Sequence, residues 1–167
     1  LRPAGVIGDW FFTLDEGDVD PVLKIHSLGE AYRKGDPNYD QRSTVPAIVD
    51  TTTGAVVNND YHVLTTEIAT AFKEYIDPSI PDLYPEDLRE DIDALNDVIY
   101  TDFNLAVNLA AMVTNQKDYE FYFDRIFRRL DWLEERLSKQ RYLMGDTITD
   151  PDIRLYVTLC RFDLVFY

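Results

Sequence analysis

The chain has 167 residues, 46% of them hydrophobic and 13% aromatic, which is enough apolar material for one good core or two small ones and too much for a disordered chain. Acidic side chains outnumber basic ones 31 to 16, and the formal charge of -15 repels phosphate backbones and anionic lipid surfaces, disfavouring nucleic-acid and membrane-surface roles. One cysteine, Cys160, rules out an intrachain disulfide, and no run approaches the roughly 20 apolar residues of a membrane span or has the form of a leader, so a soluble cytoplasmic protein is expected.

The opening "LRPAGVIGDWFF" reads like the middle of a domain, and the chain is expected to be a fragment. "AGVI" is a first short apolar element. The acidic run "LDEGDVD" lacks the spacing and closing glutamate of a calcium loop and reads as a solvated turn before a helix starting near Pro21, in "DPVLKIHSLGEAYRK". "PAIVD" and "AVVN", divided by "TTTG", predict an antiparallel hairpin of residues 47 to 49 with 55 to 57. In the helix that follows, Leu64, Ile68, Ala71, Phe72 and Tyr75 recur at three- and four-residue spacing, which predicts one buried face. Pro78, Pro81 and Pro85 then stop it and make a stiff connection, so a mixed β/α domain over 1–78 is expected to precede a helical domain over 79–167.

In the second part Leu88, Ile92, Leu95, Ile99, Phe103, Ala106 and Ala110 form one apolar stripe, and Tyr119, Phe123, Ile126, Leu130, Leu133 and Leu137 form another, which predicts an antiparallel helix pair. Near the end, Thr149 is placed to cap a helix with Asp152 reaching back to the cap amide, Pro151 suits the first turn, and Ile148 can staple onto Ile153. His26 and His62 stand far apart and no CxxC or HxxxH spacing occurs, so no metal site is expected. Glycine patterns of nucleotide sites and the GxSxG of hydrolases are absent as well.

"TVPAIVD", "VVNND", the proline-rich connection, "LYPEDLREDIDALNDVIY", "RLDWLEERL" and "QRYLMGDTITDPDIRLYVTLCRFD", with the early "DW", resemble the glutathione transferase superfamily over nearly the whole chain. Within it the resemblance is to the Xi class, the glutathionyl-hydroquinone reductases. It implies a thioredoxin-like α/β half, lacking its first strand and helix here, followed by an α-helical half. It also explains a proline at the mouth of an apolar run, where a lost donor weakens a strand. In this family Pro46 is cis, and the amide and carbonyl of Val45 remain free to ladder with the cysteinyl part of a thiol peptide.

By the same resemblance Asp60 and Tyr61 hold the γ-glutamyl end of glutathione, Trp10 lies beside the ligand, and Arg42 is near its anionic groups. An acid at a helix start suits a zwitterion, since nearby amides take its carboxylate. Each also has a purely structural reading: Asp60 as a helix cap, Trp10 as a core anchor, Arg42 in a surface ion pair. Tyr61 replaces the usual serine, which opens the choice between glutathione and another low-molecular-weight thiol such as mycothiol. The class attacks through a cysteine at a helix start, a segment this chain lacks, and Cys160, within an apolar helix, reads as buried packing. Two tyrosines of the class's electrophile pocket are replaced by Asn108 and Phe166. The implied function is thiol transfer or reduction on thiol-conjugated small aromatic compounds by a homodimer, against a non-catalytic binding or interaction protein of the same fold.

Overall fold

A computed structural model describes residues 2–4 and 8–166, with the side chains of 2–4 and of Phe166 outside the description. By packing, the chain divides into two compact units, Leu1–Leu64 and Thr65–Tyr167.

The first unit holds two small antiparallel ribbons and one helix. Strand β1 (Arg2–Ala4) pairs with β2 (Asp9–Phe11), and β3 (Ile48–Val49) pairs with β4 (Val56–Asn58) across a register shift, which is the hairpin expected from the sequence. The rest of the "AGVI" stretch after Ala4 lies outside the described residues. The hairpin turn closes through Asp50, whose Oδ1 accepts from the Thr52 amide at 2.7 Å, and through Gly54 at φ +71°. Helix α1 (Leu28–Gly35) buries Leu28, Ala31 and Tyr32 with Ile25, and Trp10, Phe12, Val49 and Val56 pack on that cluster.

The helix expected near Pro21 begins only at Leu28. Asp20 Oδ1 captures the amides of Val22 and Leu23, and Lys24 takes a left-handed φ of 57°, so residues 21–24 form a turn. The true start is a capping box, Ser27 with Glu30, whose Oε1 accepts the Ser27 amide at 3.0 Å. The acidic run before it is an exposed turn around Glu16–Asp18.

The second unit is helical: α2 (Leu64–Ala71, straddling the division), α3 (Arg89–Ile99), α4 (Leu105–Met112), α5 (Gln116–Leu137) and α6 (Asp150–Leu159). A π-helical turn, Tyr100–Asn104, joins α3 to α4, and the expected stripe runs through it: Ile92, Leu95, Ile99, Phe103 and Ala106 are all buried. Leu95, Ile99, Phe103, Val107, Ile126, Leu133, Leu143 and Leu155 make one core, each large side chain contributing roughly 1.5–3 kcal/mol. Leu95 shares a groove with Arg136, Asp102 pairs with Arg125 and Arg129, and Ala110 shares a cavity with Tyr119, so α5 runs antiparallel to α3 and α4 as expected.

Two further features fix α6. Thr149 and Asp152 form the expected capping box, and Asp152 Oδ1 also accepts the Leu143 amide at 2.8 Å. Asp150 and Arg154, one helical turn apart and each 4% exposed, pair at 2.6 Å; Asn96 of α3 donates to Asp150, and Arg154 donates to Thr65 of α2. A buried charge is tolerated only with such partners. The apolar face expected on α2 is buried only at Leu64. Its α-helix ends at Ala71, a tighter 3-10 turn follows, and Ile68, Phe72 and Tyr75 are exposed. No helix among the described residues is long and apolar enough to cross a membrane.

Candidate functional site

All six residues singled out from the sequence lie in the first unit, and the local chemistry that places each can be traced. Asp9 Oδ1 accepts both the Trp10 amide at 2.8 Å and the Gly29 amide at 3.0 Å, tying β2 to the first turn of α1. Trp10 is half-buried against the small core, which meets the anchor reading. Its indole N–H is enclosed and has no acceptor among the described residues, so one polar function of the ring is not accounted for by packing. Arg42 folds back over Gly8, two residues before Trp10: a β-carbon there would lie 3.2 Å from Arg42 Nε, and φ at Gly8 is +68°. Among the described residues Arg42 makes no ion pair, so its expected alternative role in a surface pair is not what the structure shows.

The Val45–Pro46 bond is cis. Both residues are exposed, and neither the N–H nor the C=O of Val45 has a hydrogen-bond partner among the described residues; β3 begins only at Ile48. The chain just before Val45 is held firmly. Tyr39 donates to the Arg42 carbonyl at 2.8 Å, Tyr32 donates to the Thr44 carbonyl at 2.9 Å, and Thr44 Oγ1 accepts from Asn59 Nδ2 at 3.1 Å.

Asp60 is a cap. Its amide donates to Asn58 Oδ1 at 2.7 Å, its Oδ1 accepts the His62 amide at 2.9 Å, and its carbonyl receives Leu64 N–H at 3.0 Å at the entry to α2. The side chain nonetheless stays exposed, with Oδ2 unpartnered among the described residues. Tyr61, beside it, is half-buried. The structure therefore draws Val45 and Asp60 together through Thr44 and Asn59, and Trp10 and Arg42 together through Gly8. Thr44, Tyr32, Tyr39 and Asn59 were not found from the sequence. They act through bonds across 3 to 15 positions, which leave no local pattern.

In the second unit Asn108 is exposed and its amide is turned back to the Asn104 carbonyl at 2.8 Å; the Phe166 side chain lies outside the described residues. Val107, Ala110, Tyr119, Phe123 and Phe162 help line an aromatic cavity of about 290 Å³. Cys160, expected to be buried, is exposed: it is the C-terminal cap of α6 with its thiol turned to the Val157 carbonyl, beyond the last core contact of that helix.

A small α/β unit carrying a proline-preceded backbone edge, followed by an all-helical unit, is the architecture of a glutathione transferase: thioredoxin-like, then α-helical. Residues 84–167 match the family "Glutathione S-transferase, C-terminal domain". The chain is 34% identical to the glutathionyl-hydroquinone reductase PcpF of Sphingobium chlorophenolicum over 98% of its own length and 52% of that protein's. It superposes on the crystal structure of glutathione transferase Xi 1 from Trametes versicolor with a TM-score of 0.85 and 37% identity, covering 98% of this chain and 58% of that one. For the glutathione-bound structure of YqjG, a glutathione transferase homologue from Escherichia coli K-12, the TM-score is 0.81 and the identity 35%, over 89% and 48% of the two chains. The chain belongs to the glutathione S-transferase family and, within it, groups with the Xi-class, glutathionyl-hydroquinone reductase-like members. It spans about half the length of the curated relatives it matches.

Proposed function

We propose that the first unit binds a low-molecular-weight thiol, glutathione or a relative such as mycothiol, as cosubstrate. The amide and carbonyl of Val45 beside Pro46 ladder with the cysteinyl part, while Asp60 takes the ammonium end, with Tyr61 beside it narrowing the space. Trp10 lies beside the ligand, and the guanidinium of Arg42 is near the ligand's anionic groups. One observation carries this reading: Val45 presents both main-chain polar groups without partners among the described residues, and Asp60 is tied alongside it by the Thr44–Asn59 bond.

In the longer protein, a cysteine outside this chain supplies the chemistry. Its thiolate attacks the sulfur of a thiol-conjugated small aromatic compound; the aryl carbon–sulfur bond breaks, the aromatic product takes up a proton, and a mixed disulfide is left on the enzyme. A second thiol molecule then attacks that disulfide, releasing the thiol dimer and the free cysteine. The exposed Cys160, at a helix C-terminus and in the other unit, has no part in this scheme. The working form is a cytoplasmic homodimer. A second reading, a non-catalytic binder, draws on the second unit, where Asn108 points its amide into its own helix and offers no phenol to an electrophile.

Calorimetric titration of glutathione and mycothiol into the chain tests the binding reading. At least one should bind, and Asp60→Asn should weaken it about tenfold, the worth of a charge-assisted hydrogen bond. No heat with either thiol, or an unchanged affinity in Asp60→Asn, rules the assignment out. Thiol transfer by the longer protein then separates enzyme from binder.

A further inference from the structure

Thr44 and Asn59 each stand immediately before a residue assigned to the ligand, Val45 in one case and Asp60 in the other, and the two are bonded to each other. Asn59 Nδ2 donates to Thr44 Oγ1 at 3.1 Å. The same hydroxyl lies 3.1 Å from the Tyr32 phenol, which gives its own proton to the Thr44 carbonyl at 2.9 Å. Tyr32 is only 5% exposed, is part of the small core, and stacks on Tyr39 with ring centroids 4.7 Å apart. Tyr39 in turn holds the Arg42 carbonyl at 2.8 Å. Burial, then the neighbouring Tyr32 and Asp40, raise the Tyr39 phenol above its ordinary value, which keeps it a donor through neutral pH.

We infer that Tyr32, Thr44 and Asn59 are positioning residues that form a latch fixing the spacing between the Val45 backbone groups and the Asp60 carboxylate, and so select for thiols that engage both ends. This rests on the thiol-site reading above. A ligand held at two points gains from the second contact only when the two points are pre-spaced. When the segments move independently, the ligand must order them itself, and that ordering is taken out of its affinity. A thiol that engages only Val45 is indifferent to the spacing. None of the three latch residues needs to touch the ligand, since each acts by holding its neighbour.

Thr44→Val keeps the side-chain volume and removes the hydroxyl. The expected result is an affinity for glutathione lowered by about three- to tenfold, as for one neutral hydrogen bond. N-acetylcysteine, which has no γ-glutamyl end, should change less than twofold, read from NMR titration of both thiols. Tyr32→Phe should repeat the pattern, and Thr44→Ser, which restores the oxygen, should rescue glutathione binding. Equal losses for both thiols, as general loosening would give, or no loss for glutathione, overturn the latch. A ligand-free arm stands apart from the binding reading: a double-mutant cycle of Thr44→Val with Asn59→Ala in urea denaturation should show coupling, and strict additivity rejects the latch. If the unaltered chain binds neither thiol, the thiol-site reading and the latch's selecting role fail together, while the cycle still decides whether the two segments are joined.

Discussion

Asp102, in the turn between α3 and α4, accepts from Arg125 at 2.7 Å and from Arg129, and its side chain is 20% exposed. Partial burial alone would raise its carboxyl; the hydrogen bonds and charges of the two guanidinium groups outweigh that and hold it below the usual 3.8. A carboxylate depressed by folding adds stability that is fully present above the unfolded value and is lost as the pH falls through the folded one. The chain should therefore lose part of its urea resistance below about pH 4. Asp102→Asn should cost about 1–3 kcal/mol at neutral pH, because it strands two partly buried cations, and should flatten that acid dependence. An unaltered acid limb in the variant would show that other carboxylates set it. Residues of this kind were hidden in the sequence. Asp102 is one of 31 acids, and only the antiparallel course of α5 brings two arginines from 23 and 27 positions away onto it. Asp60 and Val45 could be proposed as candidates for the opposite reason, since their neighbours along the chain, "VVNND" and "VP", carry the family pattern themselves.

Element boundaries divide along the same line between local and distant causes. Helix α6 was legible to its first residue because cap, proline and returning acid fall within four positions, and the structure forms each of those contacts. At α1 the same kind of box, Ser27 with Glu30, starts the helix at Leu28, and the Asp20 turn shows why the residues just after Pro21 are not helical. The π-helical turn at Tyr100–Asn104 was invisible, since the stripe keeps its spacing through it. In α6 the two partners of the capping box are unequal. Thr149→Ala removes one cap oxygen and should cost about 1 kcal/mol. Asp152 satisfies both the Thr149 and the Leu143 amides, so Asp152→Ala should cost more, about 2–3 kcal/mol, by leaving two part-buried donors unpaired. Equal midpoints for the two variants in chemical denaturation would mean that the Leu143 bond contributes nothing in solution.

At the scale of the whole molecule, each unit is organised on its own apolar cluster, and the clusters differ in kind. The first is small, built on Ile25, Leu28, Ala31 and Tyr32, and leans on aromatic and hydrogen-bonded support; the second, around Ile99, Phe103, Ile126, Leu143 and Leu155, is larger and deeper. The chain's two tryptophans fall one to each, Trp10 against the first cluster and Trp132 against the second, so fluorescence can follow either unit once the other indole is replaced by phenylalanine. Phe103 is fully buried and packs with Phe162 at 5.7 Å between ring centroids. Phe103→Ala removes a large side chain from a site with little room to collapse, and should destabilise by about 3–5 kcal/mol. Because every core partner of Phe103 belongs to the second unit, the Trp132-reported urea midpoint should fall by more than the Trp10-reported one. Equal shifts of the two signals would show that the units unfold as one cooperative body, and that the small cluster owes its stability to the large one.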